Sequence, residues 1–339
     1  MIKAVLVGCG GISHAWLTAA AKIPGLEIAG LVDVRAEAAR ARAAEFKLPG
    51  AVLGTELAEV LDRVKPDAVF DCTVPPAHAD VCVSALGKGC HVLGEKPMAD
   101  SLDAAHRILS AARAAGKLHA VTQTRRYDRN LRRMKRFLDS GAQGRIGTVH
   151  CDFMIGAHFG GFRDRMRHVL VEDMAIHTFD AARFLIGTDP ASVFCREWNP
   201  PGSWYDHDAS AAAIFEMTGG CVYTYRGSWC AEGLNTSWEC DWRFIGERGS
   251  ATWDGHGGIR AQVVESSGGF HSVWKDLSIL PLEPSDKDGG HLGVITEFVE
   301  CVRTGAVPET AGEDNIKSLA MVLGAVESSE GGRLVPVRW

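Results

Sequence analysis

No two of the ten cysteines stand as a C-x-x-C pair, which removes the common zinc and dithiol motifs at once. Cys9, Cys72, Cys82, Cys90, Cys151, Cys195, Cys221, Cys230, Cys240 and Cys301 are scattered, so reduced and mostly buried thiols are expected. No apolar run approaches the length of a membrane span, and the opening Met1-Ile2-Lys3-Ala4-Val5-Leu6-Val7-Gly8 lacks the long apolar core and cleavage site of a secretory signal. A cytoplasmic protein with no membrane partner is the expectation. Positive charge is also in deficit: 36 Lys and Arg face 42 Asp and Glu, a net charge of -6, so no overall basic field gathers nucleic acid. Arg125, Arg126, Arg129, Arg132, Arg133, Lys135 and Arg136 do cluster, but without stacking aromatics or a nucleic-acid motif they read as a solvated helix face. Internal repeats, low-complexity tracts and long linkers are absent as well.

What is present suits two domains. The chain has 339 residues, 46% of them hydrophobic, which exceeds the size at which a single core usually stops growing. Residues 1–124 alternate strand-like and helix-like segments: 4–7 then 12–23, 27–32 then 36–46, 68–72 then 77–86, 91–93 then 102–115. That rhythm implies βαβ crossovers and a parallel, doubly wound sheet covered on both faces. Residues 125–339 read differently. A basic helix is expected near 127–140, and Thr218-Gly219-Gly220 and Glu247-Arg248-Gly249 each separate two strand-like runs, which predicts hairpins and a mostly antiparallel sheet. A helix from about Glu172 to before Gly187 interrupts this sheet, and two more close the chain, one carrying Ile295, Phe298, Val299 and Val302 and the other following Asp314 as a possible cap. Eight of the nine tryptophans, Trp198 through Trp339, fall in this second part, where core packing, an interface or a sugar-stacking wall would each use them.

Gly8-Cys9-Gly10-Gly11-Ile12-Ser13 joins the first strand to the first helix, where backbone must turn sharply and approach a pyrophosphate. Asp33 ends the second strand about 20 residues on, placed for a carboxylate to accept from an adenosine ribose. A dinucleotide is therefore expected, with NAD favoured because Asp33 repels a 2′-phosphate. Arg35 keeps NADP open, since a guanidinium two residues on can pair with that phosphate. Glu95-Lys96-Pro97 places a lysine at the end of a later strand, where open α/β sheets carry their chemistry. Asp173 and His177 are four apart in a helical segment, so they are expected on one face, the carboxylate orienting the imidazole. His158, Arg163, Arg165, Arg167 and His168 lie in a glycine-bounded stretch just before them and form a candidate substrate loop.

Gly8 to Ser13, Thr73 to His78, Glu95-Lys96-Pro97, Arg126-Tyr127 and Asp173-x-x-x-His177 occur in the order and approximate spacing of the Gfo/Idh/MocA oxidoreductases, which the chain resembles over nearly its whole length. The resemblance implies an N-terminal Rossmann domain and a C-terminal α/β domain whose large, open, mostly antiparallel sheet flanks the substrate and often supports oligomers, here a homodimer or homotetramer. It implies Lys96 and His177 as the catalytic pair and Asp173 as an orienting or substrate-binding residue. Thr73, Pro75, His78, Glu95 and Lys96 would meet the cofactor, Arg126, Tyr127 and His158 the substrate, and the Lys96–Pro97 bond would be cis. No metal is implied. The activity implied is hydride transfer between NAD(P) and a carbinol or carbonyl carbon of a sugar, polyol or related polyhydroxy compound. One group must then accept the hydroxyl proton and another must hold the developing alkoxide, roles that suit His177 and Lys96. Two other readings use the same residues: glycoside cleavage by transient oxidation with NAD regenerated, and a non-catalytic sugar or dinucleotide sensor. Val74, Arg129 and Glu172 depart from the family pattern and leave the particular substrate unassigned.

Overall fold

The structure is a computed structural model that describes residues 1–283 and 286–339. It divides into two units, one of Met1–Tyr127 with Lys287–Leu319 and one of Asp128–Asp286 with Ala320–Trp339.

The first unit is built on strands β1 (Ile2–Val7), β2 (Leu26–Val32), β3 (Val52–Gly54), β4 (Ala68–Asp71), β5 (His91–Gly94) and β6 (His119–Val121), interleaved with helices α1 (Ser13–Ala20), α2 (Ala36–Glu45), α3 (Leu57–Val64), α4 (Pro75–Gly87) and α5 (Leu102–Ala115). All pairings are parallel and the order is β3-β2-β1-β4-β5-β6, the doubly wound arrangement that the alternating pattern anticipated. Strand β4 is buried at every residue and is apolar up to its closing Asp71, because helices cover both faces of the sheet. Helix starts follow local chemistry: Pro75 opens α4, where its missing N–H costs nothing, and the Ser101 hydroxyl accepts from Ala104 N–H at 3.2 Å to cap α5. The order reverses between β1 and β4, which opens a crevice at their carboxyl ends.

The second unit begins with α6 (Arg129–Asp139), whose first amides at Asn130 and Leu131 are each bonded to the Asp128 carboxylate at 2.8 Å. Its sheet contains β7 (Ile146–Met154), β8 (Pro190–Trp198), β9 (Ser210–Met217), β10 (Val222–Ser228), β11 (Asp241–Gly246), β12 (Gly249–Trp253), β13 (Ile259–Ser266), β14 (Val273–Leu277) and β15 (Val335–Pro336). The order is β14-β13-β12-β11-β7-β10-β9-β8-β15. Both anticipated hairpins form, β9 with β10 and β11 with β12. Strand β10 also lies parallel to β7, so the sheet is mostly rather than wholly antiparallel. A π-helical turn at Leu170–Ala175 feeds α7 (Ile176–Ile186), which ends at the left-handed Gly187. From α7, Phe179 packs against Phe215, Tyr223 and Tyr225 of the sheet, with ring centroids 4.8–6.2 Å apart. Trp229, Trp242 and Trp253 are core residues, whereas Trp198, Trp238, Trp274 and Trp339 are exposed.

The chain then returns to the first unit. Helix α8 (His291–Thr304) buries Val294, Ile295, Phe298 and Val299 in the same core as Trp16 and Phe70. This is why Lys287–Leu319 groups with the parallel sheet although it follows the second sheet in sequence. The first unit's opening segment ends at Tyr127, three residues past the boundary read from the sequence. Helix α9 (Gly312–Gly331) starts two residues before Asp314, so Asp314 sits in the first turn and does not cap it. Its carboxylate is instead held by Arg126 at 2.8 Å. No helix among the described residues is long and apolar enough to cross a membrane, and nine of the ten thiols are buried, Cys230 being half-buried.

Candidate active site

The candidate site residues fall into two constellations, one in each unit. In the first, the β1–α1 turn is forced by packing: Gly8 has φ +88°, and a Cβ there would stand 2.6 Å from the Cys72 carbonyl oxygen. At Gly10 and Gly11 a Cβ would meet nothing within 4 Å, so the backbone lies open on that side. No side chain caps α1: the Ser13 hydroxyl is turned back onto the Gly10 carbonyl at 2.6 Å, and the His14 and Ala15 amides bond the Gly11 and Ile12 carbonyls at 3.2 and 3.0 Å, so the positive end of the helix dipole faces the glycine turn. Ile12 closes the turn and is partly exposed. Arg42 from α2 also donates to the Gly10 carbonyl at 2.8 Å and pairs with Glu45, steadying the turn from below. Asp33 accepts from the Cys9 amide at 2.8 Å and the Arg35 amide at 2.9 Å, one on each carboxylate oxygen. Each oxygen keeps a second lone pair for a ribose hydroxyl. The Arg35 side chain is exposed, with Nε 3.7 Å from Asp33. This open turn, uncapped helix and held carboxylate fit a dinucleotide. Burial first, then Asp33, pushes the Cys9 thiol up to about 11, which makes it an inert packing group.

At the end of β4 the Asp71 carboxylate is fully buried and heavily used. Thr73 donates to it from both amide and hydroxyl, at 3.0 and 2.6 Å, and His78 Nδ1 lies 2.8 Å from its other oxygen. His78 is thereby buried beside the Thr73–Pro75 turn. Glu95 is likewise buried: it accepts from the Trp16 indole at 2.6 Å and from the Lys96 amide at 3.1 Å. Lys96 is half-buried at the end of β5, and its bond to Pro97 is cis, as the resemblance implied.

In the second unit, Asp173 lies in the π-helical turn and His177 in the first turn of α7. Their four-residue spacing therefore crosses a change of helix type, which the i,i+4 reading did not include; such π segments recur at functional sites. Arg163 Nε donates to Asp173 at 2.7 Å, and its guanidinium lies over the rings of Phe159 and Phe162. His158 stacks on Trp204 with centroids 3.7 Å apart and pairs with Glu232 at 2.8 Å. His168, in the left-handed region at φ +53°, is bonded to Glu197 at 2.7 Å and approaches Glu330. The Glu197 bond outweighs burial and raises the His168 pKa.

Arg126 and Tyr127, expected at the substrate, are buried inside the first unit. Arg126 bonds Asp314 and the Glu309 carbonyl, each at 2.8 Å, while the Tyr127 hydroxyl donates to Glu297 of α8. Both side chains therefore tie the returning segment to the sheet. The neighbouring basic residues behave as a helix face: Arg133 donates to the Ile279 and Leu280 carbonyls, Arg136 pairs with Asp286, and Arg132 lies over Phe184. Asp71, Trp16 and Arg42 escaped the sequence reading. The available signal was an acid closing an apolar strand in Phe70-Asp71-Cys72-Thr73.

Known proteins match segments of both units. Residues 2–123 match the oxidoreductase family described as having an NAD-binding Rossmann fold, and residues 131–252 match the GFO/IDH/MocA C-terminal domain. The chain is 30% identical to the uncharacterized protein y4oX of Sinorhizobium fredii, covering 99% of this chain and 96% of that one. It is 28% identical to an inositol 2-dehydrogenase of Streptomyces avermitilis, over 91% of this chain and 86% of that enzyme. Among solved structures, an Agrobacterium radiobacter oxidoreductase in complex with NAD+, L-tartaric acid and magnesium superposes with a TM-score of 0.87 at 22% identity, covering 99% of this chain and 98% of that one.

Proposed function

Because the chain belongs to the Gfo/Idh/MocA oxidoreductases, an NAD-binding family acting on CH–OH groups, we propose that its substrate is a sugar, polyol or related polyhydroxy compound. The single observation carrying this is the joint presence of a fitted dinucleotide turn with Asp33 and, beyond it, Lys96, Asp173 and His177. The similarity to an inositol 2-dehydrogenase supports the polyol class.

In this proposal, the first unit holds the cofactor through the Gly8–Ser13 turn, Asp33 and the Thr73–Pro75 turn, and the second holds the substrate. When bound, the nicotinamide supplies the hydride acceptor or donor. His177 takes the hydroxyl proton during oxidation and returns it during reduction, and Lys96 stabilises developing alkoxide charge, the roles that the family resemblance implies for them. Asp173 orients the substrate hydroxyl, and Arg163 holds its carboxylate at 2.7 Å. NAD is preferred to NADP because the Asp33 carboxylate would repel a 2′-phosphate; Arg35 tempers the preference.

A homodimer or homotetramer belongs to the same proposal. It is supported by exposed apolar residues in register across the second sheet: Phe194 opposes Ile214, and Val222 of β10 and Ile245 of β11 flank the half-buried Thr148 of β7. Cytoplasmic residence is supported by the burial of the free thiols. The test is to supply the purified protein with NAD or NADP and a panel of aldoses, inositols, alditols and glycosides, and to follow nicotinamide reduction with product identification. Reduction with NAD and a polyol is expected; a cleaved glycoside without reduced nicotinamide would overturn the redox reading.

A further inference from the structure

In a chain with more acidic than basic residues, residues 163–167 read Arg-Asp-Arg-Met-Arg, three arginines against one aspartate. The structure gives these guanidiniums almost nothing to neutralise them. Among the described residues, Arg165 and Arg167 are exposed without a carboxylate partner, and Arg163 has one side-chain partner, Asp173, reached through Nε at 2.7 Å. An arginine that served only to balance Asp173 would dock with a two-pronged contact; here both terminal amino groups of Arg163 are left over. They are also held in place. The guanidinium carbon lies 5.0 Å from the Phe159 ring and 4.8 Å from the Phe162 ring, and Phe159 is itself braced edge-on against the buried Trp229 at 5.0 Å. The side chain is one-third exposed, so this oriented fork is open to a ligand beside Asp173.

We propose that the substrate bears a carboxylate and that the two Nη groups of Arg163 grip it bidentately, so that the enzyme acts on a polyhydroxy acid in preference to a neutral polyol. The inference rests on the functional reading above, which it narrows. A single planar fork matches a carboxylate, and a phosphate dianion would bring a second negative charge up to the Asp173 carboxylate. Phe159 and Phe162 make Arg163 a specificity determinant rather than a flexible surface charge, because the entropy of orienting the fork is already lost in the free protein.

The test compares D-gluconate, the neutral D-glucitol of the same chain length and D-glucose 6-phosphate, each with NAD, in wild-type and Arg163→Lys protein. Arg163→Lys keeps a cation beside Asp173 and removes the fork. The expected result is a kcat/KM for D-gluconate roughly tenfold or more above that for D-glucitol, and a loss in Arg163→Lys that is about tenfold larger for the acid than for the alditol. Calorimetric binding of D-gluconate to the NAD-loaded protein provides a readout independent of turnover, and the same variant should weaken it by a similar factor. Equal losses for acid and alditol, a preference for D-glucitol, or a preference for the phosphate would each overturn the assignment. Arg163-dependent D-gluconate binding without any turnover would leave carboxylate recognition standing and count against the redox reading. Turnover of neutral polyols with no effect at Arg163 would do the reverse.

Discussion

Nδ1 of His78 lies 2.8 Å from Oδ2 of Asp71, and neither side chain reaches solvent. A buried carboxylate is costly unless every lone pair is met. Asp71 meets this with the amide and hydroxyl of Thr73 on one oxygen, and the imidazole and the Cys82 thiol on the other. The consequence is a rigid turn: the segment that begins at Thr73 and enters α4 at Pro75 is fixed from beneath at the carboxyl end of β4, where a cofactor is to be held.

His78→Ala should therefore act through the turn. Removing the imidazole leaves Asp71 Oδ2 with the weak thiol donor alone, a loss of about 1–3 kcal/mol that urea unfolding would register. The KM for NAD should rise more than kcat falls. A variant with wild-type stability and wild-type NAD affinity would show that the pair is incidental to the turn.

Two glycines of the first turn should separate folding from cofactor binding. Gly8→Ala places a Cβ against the Cys72 carbonyl at 2.6 Å in a left-handed backbone and should lower stability by about 2–4 kcal/mol. Gly11→Ala meets no protein atom within 4 Å, so its melting temperature should stay near wild type while its affinity for NADH, read by fluorescence titration, falls. Equal melting temperatures for the two variants would contradict this division.

The buried His119 predicts a pH dependence of stability. Burial is the main cause that lowers its pKa from 6.5 to about 4, with His78 adding to the effect and Asp71 opposing it. The unfolded chain binds this proton first on acidification, so the folded state keeps the full contribution above the unfolded value of 6.5 and loses it as pH falls toward about 4. Denaturant midpoints measured across that window should decline, and less steeply in His119→Gln. Matching slopes would remove His119 from the acid response.

The legible parts of the sequence were those that local chemistry dictates. Alternating apolar segments gave the parallel sheet, Thr218-Gly219-Gly220 gave a hairpin, and Gly8 to Ser13 with Asp33 marked the nucleotide turn. What escaped depends on long-range packing. Ile295, Phe298 and Val299 announce an amphipathic helix but not which sheet it covers, so the return of α8 to the first unit was not visible. The π-helical turn before His177 has no signature in spacing, since the same apolar pattern serves an α-helix. Arg126 and Tyr127 were expected at the substrate through the family resemblance, which carries no information on their long-range partners. Here Asp314, the Glu309 carbonyl and Glu297 wait for them in the returning segment. Asp71 was passed over because burial of a carboxylate becomes plausible only once Thr73 and His78 are seen around it.

The central claim is that this chain moves hydride with Lys96 and His177 in direct roles, and transient-state formation of NADH tests it most directly. Wild-type protein loaded with NAD is mixed with a substrate identified from the polyol and sugar-acid panel, beside Lys96→Ala and His177→Ala. Each variant should bind NADH as wild type does yet lose roughly a hundredfold or more of the hydride-transfer rate, the scale of a lost acid–base or charge-stabilising group. Wild-type rates in either variant would contradict the account.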